Sequence, residues 1–291
     1  MKRILFPLLV LLMVFTTACG SIIPVATATV TPLPLTPTAP SVPLALRVNG
    51  EEIILSDYQA DLARLQQAQT ELAIAATPED QKTRILENFT DQLLLAQAAT
   101  QAGFSVDDAT LQARIDKLVM EIGGMDKLSA WQSTNGYSDE SFRIALRRSI
   151  LSAWQRDQII NSLPLTAEQI HARQILVQDE ANANEAYAQL QAGVVFSDLA
   201  FSYDPVLGGD LGWFPAGTLT QPNVDEAVFA LQPEQYTEVI KSDIGYHIVY
   251  VIERDPAHTL SIDARRMLQE KKIREWLDAS RAVSTIEILL P

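Results

Sequence analysis

The chain ends on a strand that has no neighbour in sequence. "STIEILLP" (284–291) reads as β, and it follows a helical stretch that opens at Ser261 and runs to about Ser280. A single strand cannot stand alone, because its backbone N–H and C=O groups need a partner. The nearest candidate is the other end of the chain, where "LALRVNGEEIIL" (44–55) reads as a hairpin turned by Asn49-Gly50. If the two ends pair, whatever lies between them is an insertion into a domain built from both termini.

Between them the pattern changes once. From 56 to 163 apolar residues recur at helical spacing. Ser56 is placed to cap a first helix with Tyr58, Leu62 and Leu65 on one face. Thr77-Pro78-Glu79 opens a second, carrying Ile85, Phe89, Leu93 and Ala96 and stopping at Gly103. Further helices are expected over 105–122, closed by Gly123-Gly124, over 125–134, and from Ser138 to about Ser162. After Pro164 strands appear: "HARQILVQ", then helices at "DEANANEAYAQLQAG" and "FSDLAFSY", a strand at "DLGWF", a helical turn at "VDEAVFAL", and strands at "EVIKS" and "GYHIVYVIE". The order β-α-α-β-α-β-β describes a compact α+β unit. The expected division is a mainly helical domain over 44–164, an inserted α+β domain over 165–256, and a closing helix and strand over 257–291.

At 291 residues, 47% hydrophobic and 20% charged, the chain has material for one large core or two ordinary ones. Its net charge of −14 argues against nucleic acid as a partner, since phosphate binding needs a basic surface. The first residues give a location. Lys2 and Arg3 precede an apolar run from Ile4 to Phe15, then small residues and Cys19, the pattern of a secretory signal peptide over 1–18. Cys19 after Thr16-Thr17-Ala18 resembles a bacterial lipobox, although Thr16 stands where leucine is usual. The resemblance implies a diacylated Cys19 at the mature N terminus; the bland reading is an ordinary signal peptide with a chance cysteine. Six prolines and five threonines in the next residues make 19–43 an extended tether. At about 3.1 Å per residue it would hold the body up to roughly 70 Å from a membrane.

Residue chemistry excludes more than it assigns. The three histidines, His171, His247 and His258, show no metal-ligand spacing. There is no G-x-S-x-G elbow and no phosphate loop, because "GGDLG" is followed by neither Lys-Ser/Thr nor a helix. Asn88-Phe89-Thr90 is a glycosylation sequon in the middle of a helix, where chance accounts for it. What stands out is "GGDLGWFPAG" (208–217): paired glycines before an aromatic strand mean a tight turn, or a backbone that something approaches closely.

Five blocks, "HARQILV", "FSYDP", "GGDLGWF", "VDEAVFAL" and "IGYHIVYV", occur in an order and spacing that resemble the parvulin (PpiC-type) peptidyl-prolyl isomerase domain. The flanking helices, with "LRVNGEEI" at their entry, resemble the chaperone domain of PrsA-like foldase lipoproteins and SurA-like chaperones. The resemblance implies a four-stranded sheet with surrounding helices, no cofactor and no metal. It makes Leu211, Phe214, Leu219 and Val224 walls of a proline pocket, Asp204 a carboxylate facing the isomerising bond, and Gln174, Ser242 and His247 polar groups at its floor. For Leu211 and Phe214 the other reading is core packing; for Asp204, a turn before Pro205; for His247, a structural histidine. Gln174 departs from the family, which has histidine there, while His171 falls on the opposite face of the strand. The loop after Asp204 is also about three residues shorter than usual, and one residue is added between Gly217 and Phe229.

The expected function is therefore a membrane-tethered foldase outside the cytoplasm, which binds unfolded secreted polypeptides and isomerises their X-Pro bonds without a covalent intermediate. The rival is a non-catalytic holdase, or a peptide-binding scaffold with a degenerate isomerase module, and Gln174 is the feature that favours it. A solute-binding lipoprotein would need alternating strands and helices throughout, which 56–163 lacks.

Overall fold

In a computed structural model of the chain, residues 42–290 are described. The expected signal peptide, Cys19 and nearly all of the tether lie outside the described residues.

The chain enters through β1 (Leu44–Val48), turns at Asn49 and Gly50, and returns as β2 (Glu51–Ile54). Both turn residues have positive φ, 52° and 88°, as a two-residue hairpin with strand-matching twist requires. β2 runs straight into α1 (Leu55–Glu71). Ser56 does not cap this helix. Ile54 occupies the capping position without a side-chain hydrogen bond, and the Leu55 N–H is satisfied instead by the Pro43 carbonyl at 2.8 Å. α2 (Pro78–Gln101) has the expected start, a capping box in which Thr77 and Asp80 satisfy each other's backbone N–H groups. α3 (Asp108–Ile122) starts later than expected. Asp107, extended at φ −73° and ψ 170°, is its cap and accepts the Thr110 N–H, while Val106 before it is buried among Leu111, Ile115, Leu128 and Phe142. α4 (Met125–Thr134) and α5 (Asp139–Asn161) complete the helical run, the latter capped by Ser138.

The α+β part follows as β3 (Thr166–Val177), α6 (Glu180–Gln191), α7 (Phe196–Tyr203), β4 (Asp210–Pro215), α8 (Pro222–Phe229), β5 (Ile240–Ser242) and β6 (Gly245–Thr259). Its sheet is antiparallel with the order β4-β3-β6-β5. β6 is longer than its apolar pattern suggests, since it passes through Pro256. The register shifts between Ala167 and Gln169 leave Pro256 in a bulge, where no ladder N–H is required of it.

α9 (Ile262–Ala282), capped by Ser261, leads back to the helical body, and β7 (Ile286–Ile288) closes the chain. β7 pairs antiparallel with β1, giving a three-stranded sheet of order β2-β1-β7. The lone terminal strand thus finds its partner at the opposite end of the chain. Asn49 and Thr285 exchange hydrogen bonds of 2.9 Å, and Arg47 bridges Glu52 and Glu287 across the three strands. Beneath the sheet Leu46, Val48, Ile53, Tyr58, Phe89 and Leu93 form one core, with Trp276 of α9 against it. The described residues are α+β, with a four-stranded antiparallel sheet in the middle of the chain and a three-stranded sheet built from its two ends.

Candidate functional site

Alternation along the strands sorts the inserted sheet into two faces. Ile175 and Ile248 point to α6 and α7, where they pack with Leu190, Phe196 and Leu199. Ile170, Ala172, Val249 and Val251 point the other way and pack with Phe214, Val224 and Val228. Leu211 and Leu219 are half-buried members of this second cluster, so the four expected pocket residues are brought together. That is not what simple alternation predicts, because Leu211 and Phe214 are three apart and would face opposite sides. A bulge between β3 and β4 at Leu211, with Gly212 at φ 64°, turns Leu211 onto the face of Phe214. Phe214 and Val224 are 7% and 2% exposed, which makes them the wall's core, while Leu211 and Leu219 remain accessible.

Gln174 and His247 lie on this same face. His247 is 3% exposed, with Nδ1 3.2 Å from Gln174 Oε1 and Nε2 2.7 Å from Ser242 Oγ. The Gln174 oxygen only accepts, which assigns the ring proton to Nδ1 and makes Nε2 the acceptor of the Ser242 hydroxyl. Ser242 in turn accepts the Ile244 N–H at 3.2 Å. Both ring nitrogens are therefore committed, and the Gln174 carboxamide N–H₂ has no intramolecular partner among the described residues. His171 is elsewhere: it bonds Asp210 Oδ1 at 2.8 Å and packs on Trp213, which stacks on His258 at 4.1 Å. Burial raises the Asp210 carboxyl, but the Gly212 N–H and His171 outweigh it and hold it low.

The paired glycines connect these parts. Gly208 and Gly209 have φ of 60° and 69°, and a Cβ on Gly209 would run into the carbonyl oxygen of Gln174. Only glycine allows that approach. It lets the Gly209 carbonyl accept the Gln174 N–H at 2.8 Å, while the Gly209 N–H donates to Asp204 Oδ2 at 3.0 Å. "GGDLGWF" is thus both a turn and a close approach. Asp204 Oδ1 also accepts from Val206 and Leu207, at 3.2 Å each. The Gly209 and Leu207 N–H groups, with Val206, keep its carboxyl below the usual carboxylate range, so it is anionic at neutral pH. Asp204 therefore shapes its own loop, and a path of hydrogen bonds runs from it through Gly209 and Gln174 to His247 and Ser242. Around it Phe201, Val206 and Leu207 are exposed.

One residue of the site was missed from sequence. Asp225, 7% exposed, accepts the N–H groups of Gly217, Thr218 and Leu219 at 2.7, 3.2 and 3.1 Å. It positions the loop that carries Leu219. In sequence it is an acid in a helix's first turn, the commonest place for one, and nothing in the spacing marks the loop that it holds.

Two outcomes follow from this geometry. Asp225→Ala should cost about 1–3 kcal/mol in urea unfolding, because buried N–H groups lose their acceptor. Asp225→Asn, which keeps one acceptor oxygen, should lose less; equal losses would contradict the role. The second concerns His247, which burial holds below the ordinary histidine range. The folded state favours the neutral ring, so as pH falls the unfolded chain takes the proton first. This contribution is complete well above about pH 6.5, the unfolded value, and is lost as pH falls from there through the lower folded value. The urea midpoint should drop between pH 7.5 and 5.5, and the drop should be smaller in His247→Asn. The same slope in both would contradict it.

A family model described as PPIC-type PPIASE domain matches residues 167–253, and one described as SurA-like N-terminal domain matches 22–143. The Foldase protein PrsA of Geobacillus kaustophilus is 35% identical over 126 residues, 42% of this chain and 44% of that protein. Foldase protein PrsA 1 of Bacillus cereus is 27% identical over 183 residues, 59% of this chain and 63% of that protein. The aligned part is thus under two thirds of either relative. The crystal structure of the peptidylprolyl isomerase PrsA from Bacillus cereus aligns at 20% identity over 79% of this chain and 85% of its own, with a TM-score of 0.45. Residues 167–253 are a PPIC-type PPIASE domain, in a chain that also carries a SurA-like N-terminal domain.

Proposed function

We propose that the chain is a peptidyl-prolyl cis-trans isomerase and foldase, in which the helical domain binds unfolded polypeptide and the inserted domain isomerises its X-Pro bonds. The observation that carries this reading is the joining of a half-open apolar wall, Leu211, Phe214, Leu219 and Val224, to the Gln174–His247–Ser242 network within the matched domain. The domain division at 164 and 256 belongs to the same proposal, as does attachment to the outer face of a bacterial membrane through a lipid on Cys19.

The chemistry is non-covalent. Rotation about an X-Pro bond faces a barrier of about 18–20 kcal/mol, most of it amide resonance. In the planar amide the carbonyl oxygen carries partial negative charge, which is lost on twisting. The Asp204 carboxylate beside that oxygen would destabilise the planar form relative to the twisted one. On twisting, the proline nitrogen becomes pyramidal and regains a lone pair. His247 has no free proton to offer it, so the donor is the unpartnered Gln174 carboxamide. His247 orients that carboxamide through Nδ1–H, and Ser242 fixes the ring. The apolar wall takes the proline ring and excludes water, which favours the less polar twisted state. In this account glutamine replaces the family histidine as a donor that does not titrate.

The test is a protease-coupled isomerisation assay on X-Pro tetrapeptides with wild type, Asp204→Ala and Gln174→Leu. The expected result is acceleration over the uncatalysed rate, falling by about 10-fold in each variant, the loss expected for one well-placed polar contact. A flat wild-type trace that becomes active in Gln174→His would instead support the holdase reading.

A further inference from the structure

The helical body holds a cavity of about 220 Å³ between α1, α2 and α5 that the isomerase reading does not use. Asp57 and Arg64 of α1, Phe89 and Gln92 of α2, Tyr137 and Arg148 line it. Arg148 is the anomaly. It is 8% exposed, its guanidinium sits 5.3 Å over the Phe89 ring, and its Nε is buried without a partner. Among the described residues it makes no hydrogen bond and no ion pair. Arg64 differs: it is spent on Asp61, the Asn135 carbonyl and the Tyr137 ring. Asp57 also lacks an ion pair, although it shares the cavity wall.

Burial draws the Arg148 guanidinium down from its ordinary range, against the fields of Glu51 and then Asp57, and pushes the Asp57 carboxyl up, against the fields of Arg148 and Arg64; Arg148 touches neither acid. A buried charge is costly unless it is paired and hydrogen-bonded. Among the described residues four arginines have a buried Nε without a partner, and Arg148 is the most buried of them, with only the Phe89 ring in direct contact. An arginine fork laid on an aromatic face is suited to a carboxylate, which it holds through two parallel N–H bonds. The charged walls, Asp57 and Asp61 against Arg64 and Arg148, sum to zero, which suits a ligand that also brings a donor rather than a bare anion.

We propose that this cavity binds an α-carboxylate whose α-nitrogen bears N–H, supplied by a free amino acid or by the C-terminal residue of a peptide. Arg148 takes the carboxylate through its fork, and Asp57 accepts the N–H. The volume lies below the ~300 Å³ at which sites for drug-sized ligands begin, so it admits one residue and not a length of chain. The site is outside the isomerase domain and stands whether or not that domain turns over.

The test is calorimetric titration of the full chain with L-alanine, N-acetyl tetra-alanine, and N-acetyl tetra-alanine amide. Saturable binding of at least one free carboxylate, with none of the amide, is expected. Binding of L-alanine alone identifies an amino-acid site; binding of the acetylated peptide identifies a C-terminal one. Arg148→Lys should weaken binding by about tenfold or more, because a point charge cannot reproduce the fork. Arg148→Met should abolish it while the urea midpoint holds or rises, since an unpaired buried charge is removed. Failure of both free carboxylates to bind, or equal binding of the amide, would overturn the proposal. So would wild-type binding in Arg148→Lys beside a lowered midpoint in Arg148→Met, which would assign Arg148 to the fold.

Discussion

The contact between Gly209 and Gln174 is the constraint on which the inserted domain's site depends. The Gly209 backbone lies so close to β3 that no side chain fits, and its carbonyl takes the Gln174 N–H at 2.8 Å. That bond pins the loop after α7 to the central strand. It sets where Asp204 sits, since Asp204 holds the Gly209 N–H from the other side. It also precedes the bulge at Leu211 by only two residues, so the same approach determines which face Leu211 joins. Backbone conformation, apolar wall and polar network are therefore one mechanical unit.

Energetically the unit is stiffened by buried polar groups that satisfy one another. His247 has a partner on each ring nitrogen, Thr237 accepts the Val249 N–H at 3.0 Å, and Asp225 gathers three backbone donors. Breaking any one of these leaves a desolvated group behind, which costs more than the bond itself contributes net. Such networks hold a site's geometry without filling its apolar mouth, which is left to Leu211 and Leu219. Arg148 in the helical body has no such satisfaction, and that contrast is what marks its cavity.

Much of this was legible in the sequence where a local rule sufficed. Asn49-Gly50 named its own turn, Thr77-Pro78 its own helix start, and the lone strand at 286–288 required a partner, which the hairpin at 44–55 supplies through β1. Alternation put His171 and Gln174 on opposite faces correctly. The misses share a cause, which is that tertiary context replaced a local signal. Ser56 is a good cap, but the Pro43 carbonyl already satisfies the amide beside it. The strand read as "GYHIVYVIE" runs on to Thr259, because a bulge accommodates Pro256. Asp225 and Arg148 look like ordinary helix residues until folding buries them. Spacing records which face a residue occupies, not what waits for it there.

In the proposed function, the face carrying Leu211, Gln174 and Leu219 receives proline and turns it over. The most direct measurement is nuclear magnetic resonance of the ¹⁵N-labelled full chain with an X-Pro tetrapeptide. It records backbone shifts together with exchange between the peptide's cis and trans resonances. The expected result is shifts centred on Gly209–Leu211, Gln174 and Thr218–Leu219, with cis–trans exchange faster than the tens of seconds of the free peptide. Shifts confined to the helical body, with exchange at the free-peptide rate, would contradict it.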